Sequence, residues 1–424
     1  MRCVHTALAC LAALAAPGHT WGLEPSPLGD PLTLEAAVAY ARQHNPEINA
    51  AEASWRAAQA RPSPAGSLPD PLINTAYHNE GFDRLRQGSG EFSFLRFGIE
   101  QEVPFPGKLS RQEAAARSEA DREGARYRAT VLNVVTRVRL TYDDYFLADK
   151  SLAIVHGNLA LLEQLADGAG ARYRIGEGLQ QDVARAQVEL SILHGRLVSL
   201  EQERQSAEAM LDRLLNRPAT AALGTPAPVE KRPLSWSLDQ LETLAGERSP
   251  SLEAAEHDIA RADAAFDLAK RQYYPDVVLR ADYFNQASLT PEWEVGVGLR
   301  APLYFWRKQS FGVQEAAAGA AQARASRQNT RQEVLARLRD LYAQATSAQR
   351  LLELYGTGVV PQAEVSLKSA SAGYRVGKVD FLTLLNSFTV LYDYQLRYHQ
   401  ELTRFDKALA QIEEVAGLTG VAHE

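Results

Sequence analysis

Arg172-Tyr173-Arg174-Ile175-Gly176-Glu177-Gly178 is answered later in the chain by Gly373-Tyr374-Arg375-Val376-Gly377-Lys378. A tight reversal needs a residue that reaches positive φ at little cost, and both copies place glycine, Gly176 and Gly377, just past the last residue of a helical pattern. Each stretch ends one long helix and starts another. The two are therefore predicted to be tips of helical hairpins, and the rest of the chain is placed by its distance from them.

Toward the first tip, Val134, Val138, Thr141, Tyr145, Ala148, Leu152, Val155, Leu159, Leu162, Ala166, Ala169 and Tyr173 fall at alternating steps of four and three, the seam of a coiled coil. Leu179, Val183, Ala186, Leu190, Leu193, Leu197, Leu200, Ala207, Leu211 and Leu214 resume it on the return. Val334, Leu338, Leu341, Ala345, Ala348, Leu352, Tyr355 and Val359 lead to the second tip, and Leu384, Leu391, Tyr394, Tyr398, Phe405, Ala408, Ile412 and Val415 lead away. Helices are expected over 108–172 and 179–217, and again over 306–373 and 380–417. A further helix is expected from Thr33, its N-cap, to about Arg61, with Pro46 as a kink or break and Pro62 to Pro71 as its end; its counterpart runs from Trp236 to Gln272. At 1.5 Å per residue, helix 108–172 would span about 97 Å, matching the two shorter first-half helices laid end to end.

Between the helices the period changes to two. Leu72 to His78 and Glu91 to Glu102 read as strands, with Leu95, Phe97 and Ile99 on one face. Val277, Leu279 and Tyr283, then Trp293, Val295, Val297 and Leu299, repeat the pattern in the second half. Those residues would suit lipid. Four strands cannot close a barrel and would leave reactive edges, whereas three copies supply twelve. The expected fold is mainly α with a membrane β-barrel segment: duplicated helical hairpins forming a trimeric α-barrel that continues a shared twelve-stranded β-barrel.

The chain of 424 residues has a formal charge of −7, which disfavours nucleic acid as a partner. Residues 1–22, with Arg2 and an apolar run from Ala7 to Ala16, have the layout of a secretory signal peptide. Residues 23–217 form a first repeat, 218–235 a Pro-rich linker and 236–424 a second repeat. Both cysteines, Cys3 and Cys10, lie in the signal segment, so no disulfide framework is expected in an exported chain. Ala7-Leu8-Ala9-Cys10 can also be read as a lipoprotein box, although the apolar run continues past Cys10.

No pair among the nine histidines has the helical spacing of a zinc site, and Met1 and Met210 make no copper ladder. Neither a nucleophile-base set nor a phosphate-cradling glycine loop is visible, so no enzyme activity, cofactor or resident metal is expected. Histidines such as His156, His194 and His399 read as solvated or pore-facing.

At this point the chain resembles the TolC-type family of outer-membrane efflux channels. The resemblance rests on the duplicated tips, on Asn45-Pro46-Glu47-Ile48 answered by Ser249-Pro250-Ser251-Leu252, on Tyr274-Pro275-Asp276 opening a strand and on Ala301-Pro302-Leu303 closing one. It covers almost all of the chain after the signal segment. It implies a homotrimeric duct in the outer membrane that extends into the periplasm, meeting a periplasmic adaptor protein and through it an inner-membrane pump. Val103-Pro104-Phe105-Pro106-Gly107-Lys108 further resembles members serving heavy-metal exporters. The resemblance also implies an acidic periplasmic gate: Asp182 stands in the matching place after the first tip, but the second hairpin carries Thr383 and Asn386 there.

Tyr173, Arg174, Gly176, Tyr374, Arg375 and Gly377 are the candidate adaptor-docking residues. Arg174 and Arg375 also suit solvated caps near a helix C-terminus, but their presence in both copies favours partner contact. An exported coiled-coil adaptor or scaffold would share the heptads and hairpins, but it would bury its strands in a small barrel of its own.

Overall fold

The computed structural model describes residues 28–82, 84–87, 92–218, 221 and 223–418. The signal segment read at 1–22, with Cys3 and Cys10, lies outside the described residues.

Helix α1 (Leu34–His44) is opened by Thr33, whose hydroxyl accepts from the Ala36 amide at 3.2 Å. Asn45 is extended and ends it. The Asn45 side chain accepts from the amides of Glu47 (2.9 Å) and Ile48 (3.3 Å) to cap α2 (Pro46–Gln59), and its own amide donates to the Leu214 carbonyl at 2.8 Å. Pro46 thus marks a break and not a kink, because at the first helical position its missing N–H costs nothing. The proline-rich segment expected only to end this helix in fact forms a short one, α3 (Pro62–Gly66), by the same device at Pro62.

Strands β1 (Leu72–His78) and β2 (Phe94–Val103) follow, then α4 (Lys108–Arg174) and α5 (Gln180–Leu214). With 67 residues, α4 is one unbroken helix, about 100 Å long by its rise. The second half gives α6 (Leu238–Arg248), α7 (Pro250–Arg271), β3 (Asp276–Asn285) and β4 (Glu292–Arg300). The single helix expected over Trp236–Gln272 is therefore two, parted at Ser249 as the first repeat is parted at Asn45.

The expected helix 306–373 is also divided. It comprises α8 (Gln309–Leu354), a π-helical turn (Tyr355–Val359) and α9 (Val360–Arg375), followed by α10 (Phe381–Val415). Pro361 has no N–H and its ring crowds the carbonyl four residues back. One wider turn, with the Val360 amide donating to the Tyr355 carbonyl, absorbs that conflict without stopping the helix.

Most seam residues do what their spacing predicts: Val155, Leu162, Ala186, Leu193, Leu200, Leu384 and Leu391 are buried in one cluster, with Phe388, that joins the two hairpins. At the tip the seam opens, and Tyr173 and Leu179, expected to pack, are exposed because the reversal leaves no facing helix there. Helix α4 packs on α5, α7 and α10, and α8 packs on α7 and α10.

Midway along the rod the N-terminal arm and the linker wrap the helices. Leu32 exchanges backbone bonds of 2.8 Å with Thr225 and Ala227, and the Tyr142 hydroxyl donates to the Leu32 (2.8 Å) and Ala227 (3.0 Å) carbonyls. Linker Arg232 bonds Asp406 through Nε (3.0 Å) and Nη2 (2.6 Å) and Glu413 at 3.3 Å, while buried Arg139 of α4 also pairs with Glu413. Beside them Asp143 is fully buried with neither carboxylate oxygen bonded. Burial, then the nearby Asp406 charge, pushes its carboxyl well above the ordinary range, opposed by Lys407 and Arg139.

The strands form one antiparallel sheet in the order β1-β2-β3-β4. Its register opposes Phe97 to Tyr283, Ile99 to Ala281, Leu279 to Val297 and Tyr283 to Trp293. The apolar sets of the strands therefore share one face. The two repeats are tied at the foot of the sheet, where Lys108 Nζ meets Asp276 at 2.7 Å and donates to the Tyr274 carbonyl at 3.0 Å. Phe105 stacks on Tyr274 with ring centroids 4.4 Å apart.

Candidate functional site

Both tips close by the same hydrogen-bond scheme. At the first, the amides of Glu177 and Gly176 donate to the carbonyls of Arg172 (2.9 Å) and Tyr173 (3.0 Å); at the second, Lys378 and Gly377 donate to Gly373 (2.9 Å) and Tyr374 (3.1 Å). Gly176 (φ 79°) and Gly377 (φ 72°) are left-handed, as the spacing predicts.

The tips are not equivalent in their side chains. Tyr173 is 46% exposed. Tyr374 is half-buried, edge-on to Phe381 at 5.7 Å. The difference comes from Arg172, which crosses from the first tip to the second: Nη1 donates to the Tyr374 carbonyl at 2.6 Å and the guanidinium lies 5.2 Å from the Tyr374 ring centroid. Burial, and to a lesser degree Asp182, push the Tyr374 phenol up, while Arg172 holds it down.

Arg174 and Arg375 are both exposed, and of the gate candidates Asp182 is half-buried while Thr383 and Asn386 are exposed on the return helix. The second tip has an acidic residue that the spacing argument passed over. Asp380 caps α10, accepting from the Thr383 amide at 2.7 Å, and that bonding holds its carboxyl below the usual range. The run Asp380-x-x-Thr383 could have revealed it as an N-cap. Arg172 gave no such signal, because its partner is a backbone carbonyl on the other hairpin. The tips also expose Ile175, Leu179, Val376 and Leu382, an apolar rim that glycine and tyrosine alone did not predict.

At the opposite end the sheet has two unlike faces. Trp293 (77%), Val297 (71%), Val295, Leu299, Phe97, Ile99, Leu279 and Tyr283 are exposed on the apolar face, joined by Ile73 and Tyr77; Leu95 and Val277 on the same face are half-buried. On the other face Asp282 is only 6% exposed, 3.7 Å from Arg96, while Arg280 pairs with Glu100 at 3.1 Å and Arg300 with Glu102. Opposite charges are paired across strands on this face, with Arg280 and Arg300 still exposed, while the apolar side chains of the other face stand open. A scaffold protein burying its strands would cover that apolar face.

Past β4 the chain exposes Leu303, Tyr304, Phe305 and Trp306 together, near Tyr273. The aromatic run after Pro302 was the available sign of this cluster.

Among the described residues no helix is long and apolar enough to cross a membrane, and no three His, Cys, Asp or Glu side chains are grouped to hold a metal ion.

The sequence signature of the outer membrane efflux protein family matches residues 38–217 and 242–418. Among curated relatives, the cobalt-zinc-cadmium resistance protein CzcC of Cupriavidus metallidurans is 23% identical over 409 residues, covering 93% of this chain and 92% of that one. The pyoverdine export outer membrane protein OpmQ of Pseudomonas putida is 26% identical over 386 residues, covering 85% and 81%. Among solved structures, the outer membrane protein VceC of Vibrio cholerae superposes with a TM-score of 0.78 at 20% identity, covering 91% of this chain and 96% of that one, a likeness of fold.

Proposed function

The chain belongs to the outer membrane efflux protein family, and from that premise we propose how its parts divide the work. Channels of this family are homotrimers of the outer membrane that extend into the periplasm and work with a periplasmic adaptor and an inner-membrane pump. The fold is accordingly an α-barrel continued by a β-barrel, and the family is one of channels, not enzymes. One observation carries the reading on this chain: a four-stranded sheet with an exposed apolar face is joined by short connectors to long helices, of which α4 alone runs about 100 Å.

We assign the lipid contact to Leu95, Phe97, Ile99, Val277, Leu279, Tyr283, Trp293, Val295, Val297 and Leu299, supported by their common face. The cluster Tyr304–Trp306 fits the interfacial level where aromatic rings prefer to sit. Adaptor docking is assigned to the tips at Tyr173, Arg174, Gly176, Tyr374, Arg375 and Gly377, widened by the exposed Ile175 and Val376. Packing of the adaptor's helical hairpins against this rim is the mode that suits the geometry. The periplasmic gate is assigned to Asp182, with Arg172 as the clasp between hairpins and Asp380 as the acidic residue that Thr383 and Asn386 do not supply.

The cargo we infer is small toxic solutes or heavy-metal ions in transit. The likeness to CzcC supports metal and the likeness to OpmQ supports a solute exported as pyoverdine is there; the Val103–Lys108 stretch favours metal. A strain lacking the chain and complemented with it decides this. Restored tolerance to zinc, cobalt or cadmium, with lower cell-associated metal, is expected. Unchanged metal tolerance with restored export of an organic solute would reverse the assignment.

A further inference from the structure

Where α4, α10 and the π-helical turn meet, about 25 Å along α4 from the first tip by the helix rise, the wall of one chain holds a pocket of about 570 Å³. Its existence has a local cause. Helix α4 presents Ala153 and Gly157 to it, and a Cβ added at Gly157 would meet nothing within 4 Å. Opposite, the wide turn brings in Gly356 in place of a side chain, so that the Tyr398 ring edge comes within 2.9 Å of where a Cβ would stand. The open space therefore lies on the α4 side, at Ala153 and Gly157, while the Tyr398 ring closes the side of the wide turn.

The lining is apolar at Ile154, Leu161, Val360 and Leu391. Its polar groups are few and directed. The Asn158 amide donates to the Ile154 carbonyl at 2.8 Å and to Gln395 Oε1 at 3.1 Å, which leaves the Gln395 NH₂ to donate elsewhere. His399 Nδ1 is buried without a hydrogen-bond partner. Burial, and then the charge of Lys150, push the His399 pKa down to about 4, so the ring is neutral near pH 7. Among the described residues Lys150 has no carboxylate within ion-pair distance.

An open, mostly apolar pocket with an exposed lysine, Lys150, on its rim and a few hydrogen-bonding groups inside suits a particular class of molecule. We propose that it binds a small organic anion, its acidic group set against Lys150 and its apolar body along Ile154, Leu161 and Leu391, with Gln395 and His399 fixing orientation. The pocket lies away from the tips, the clasp and the sheet, and the proposal stands whether or not the cargo assignment does.

The test uses the purified trimer in lipid nanodiscs, with naphthalene-2-carboxylate as probe and naphthalene-2-carboxamide as its uncharged counterpart, read by titration calorimetry. One saturable site per chain is expected, with the carboxylate bound about tenfold or more tightly than the amide. Lys150→Gln should remove that preference and leave amide binding unchanged, while Gly157→Leu, which fills the pocket, should abolish binding of both. Gly195→Leu, the same change at another open helical glycine on α5, should alter neither. Absence of saturable binding, equal affinity for the two probes, or carboxylate binding that survives Gly157→Leu would overturn the proposal. Should Gly157→Leu fail to assemble as a trimer, the paired probes on the Lys150→Gln trimer still decide it.

Discussion

At Arg172 one guanidinium ties together the turns of two hairpins already packed on each other below, bonding the Tyr374 carbonyl and covering the Tyr374 ring. Arg172→Ala should release the second tip and raise single-channel conductance in planar bilayers, whereas Arg174→Ala, on an exposed neighbour, should leave it unchanged; equal traces for Arg172→Ala and the parent would remove the clasp. Deeper in the wall, Asp143 sets a pH dependence. Its carboxyl is held up by burial, so between the ordinary carboxylate range and its raised value the folded chain binds more protons than the unfolded one. Stability therefore falls as pH rises through that window and is fullest below it. Asp143→Asn, neutral throughout, should melt above the parent at pH 8 and together with it at pH 4. Parallel melting curves at both pH values would show that the buried carboxyl carries no such penalty. Neither residue could be found from spacing, since Arg172 meets a carbonyl of the second repeat and Asp143 owes its state first to burial in the packed wall and then to Asp406, which is distant in sequence.

The strands and tips, by contrast, were readable because their cause is local. Alternation on Trp293 to Leu299 needs only a sheet with two unlike faces, and a glycine after a heptad run needs only a helix that must turn back. The break at Ser249 and the π-helical turn were missed for the opposite reason: each keeps the apolar period going across the irregularity, so the pattern looks continuous. If the strand assignment is right, Val297→Arg on the apolar face should cost about 2–4 kcal/mol of barrel stability at mid-membrane and Gly298→Arg on the polar face much less. Position 298 has room, since an added Cβ would lie 3.7 Å from the Val278 Cβ. Heat-modifiable trimer in the outer-membrane fraction reports the difference, and equal losses for the two variants would reject the facing.

Each chain leaves β1 and β4 as open edges of a four-stranded sheet, and only neighbouring copies can pair them. Crosslinking of detergent-extracted protein should accordingly stop at three chains, and a ladder ending at two would contradict a shared barrel. At the other end, Gly176→Val with Gly377→Val places β-branched residues at positive φ, in open space at 176 and with the new Cβ 3.5 Å from Arg172 Nη2 at 377. Trimer abundance should stay normal while adaptor crosslinking and resistance both fall; undiminished resistance would reduce the tips to simple reversals. The two long helices of each chain also differ as mechanical members. Helix α4 is a continuous strut of 67 residues, while its counterpart carries a joint at Tyr355–Val359 where the bond ladder changes register. A torque applied at the tips is carried stiffly by the first and taken up as bending by the second, so compliance belongs to one hairpin of each pair and a ring of three chains would alternate rigid and yielding staves.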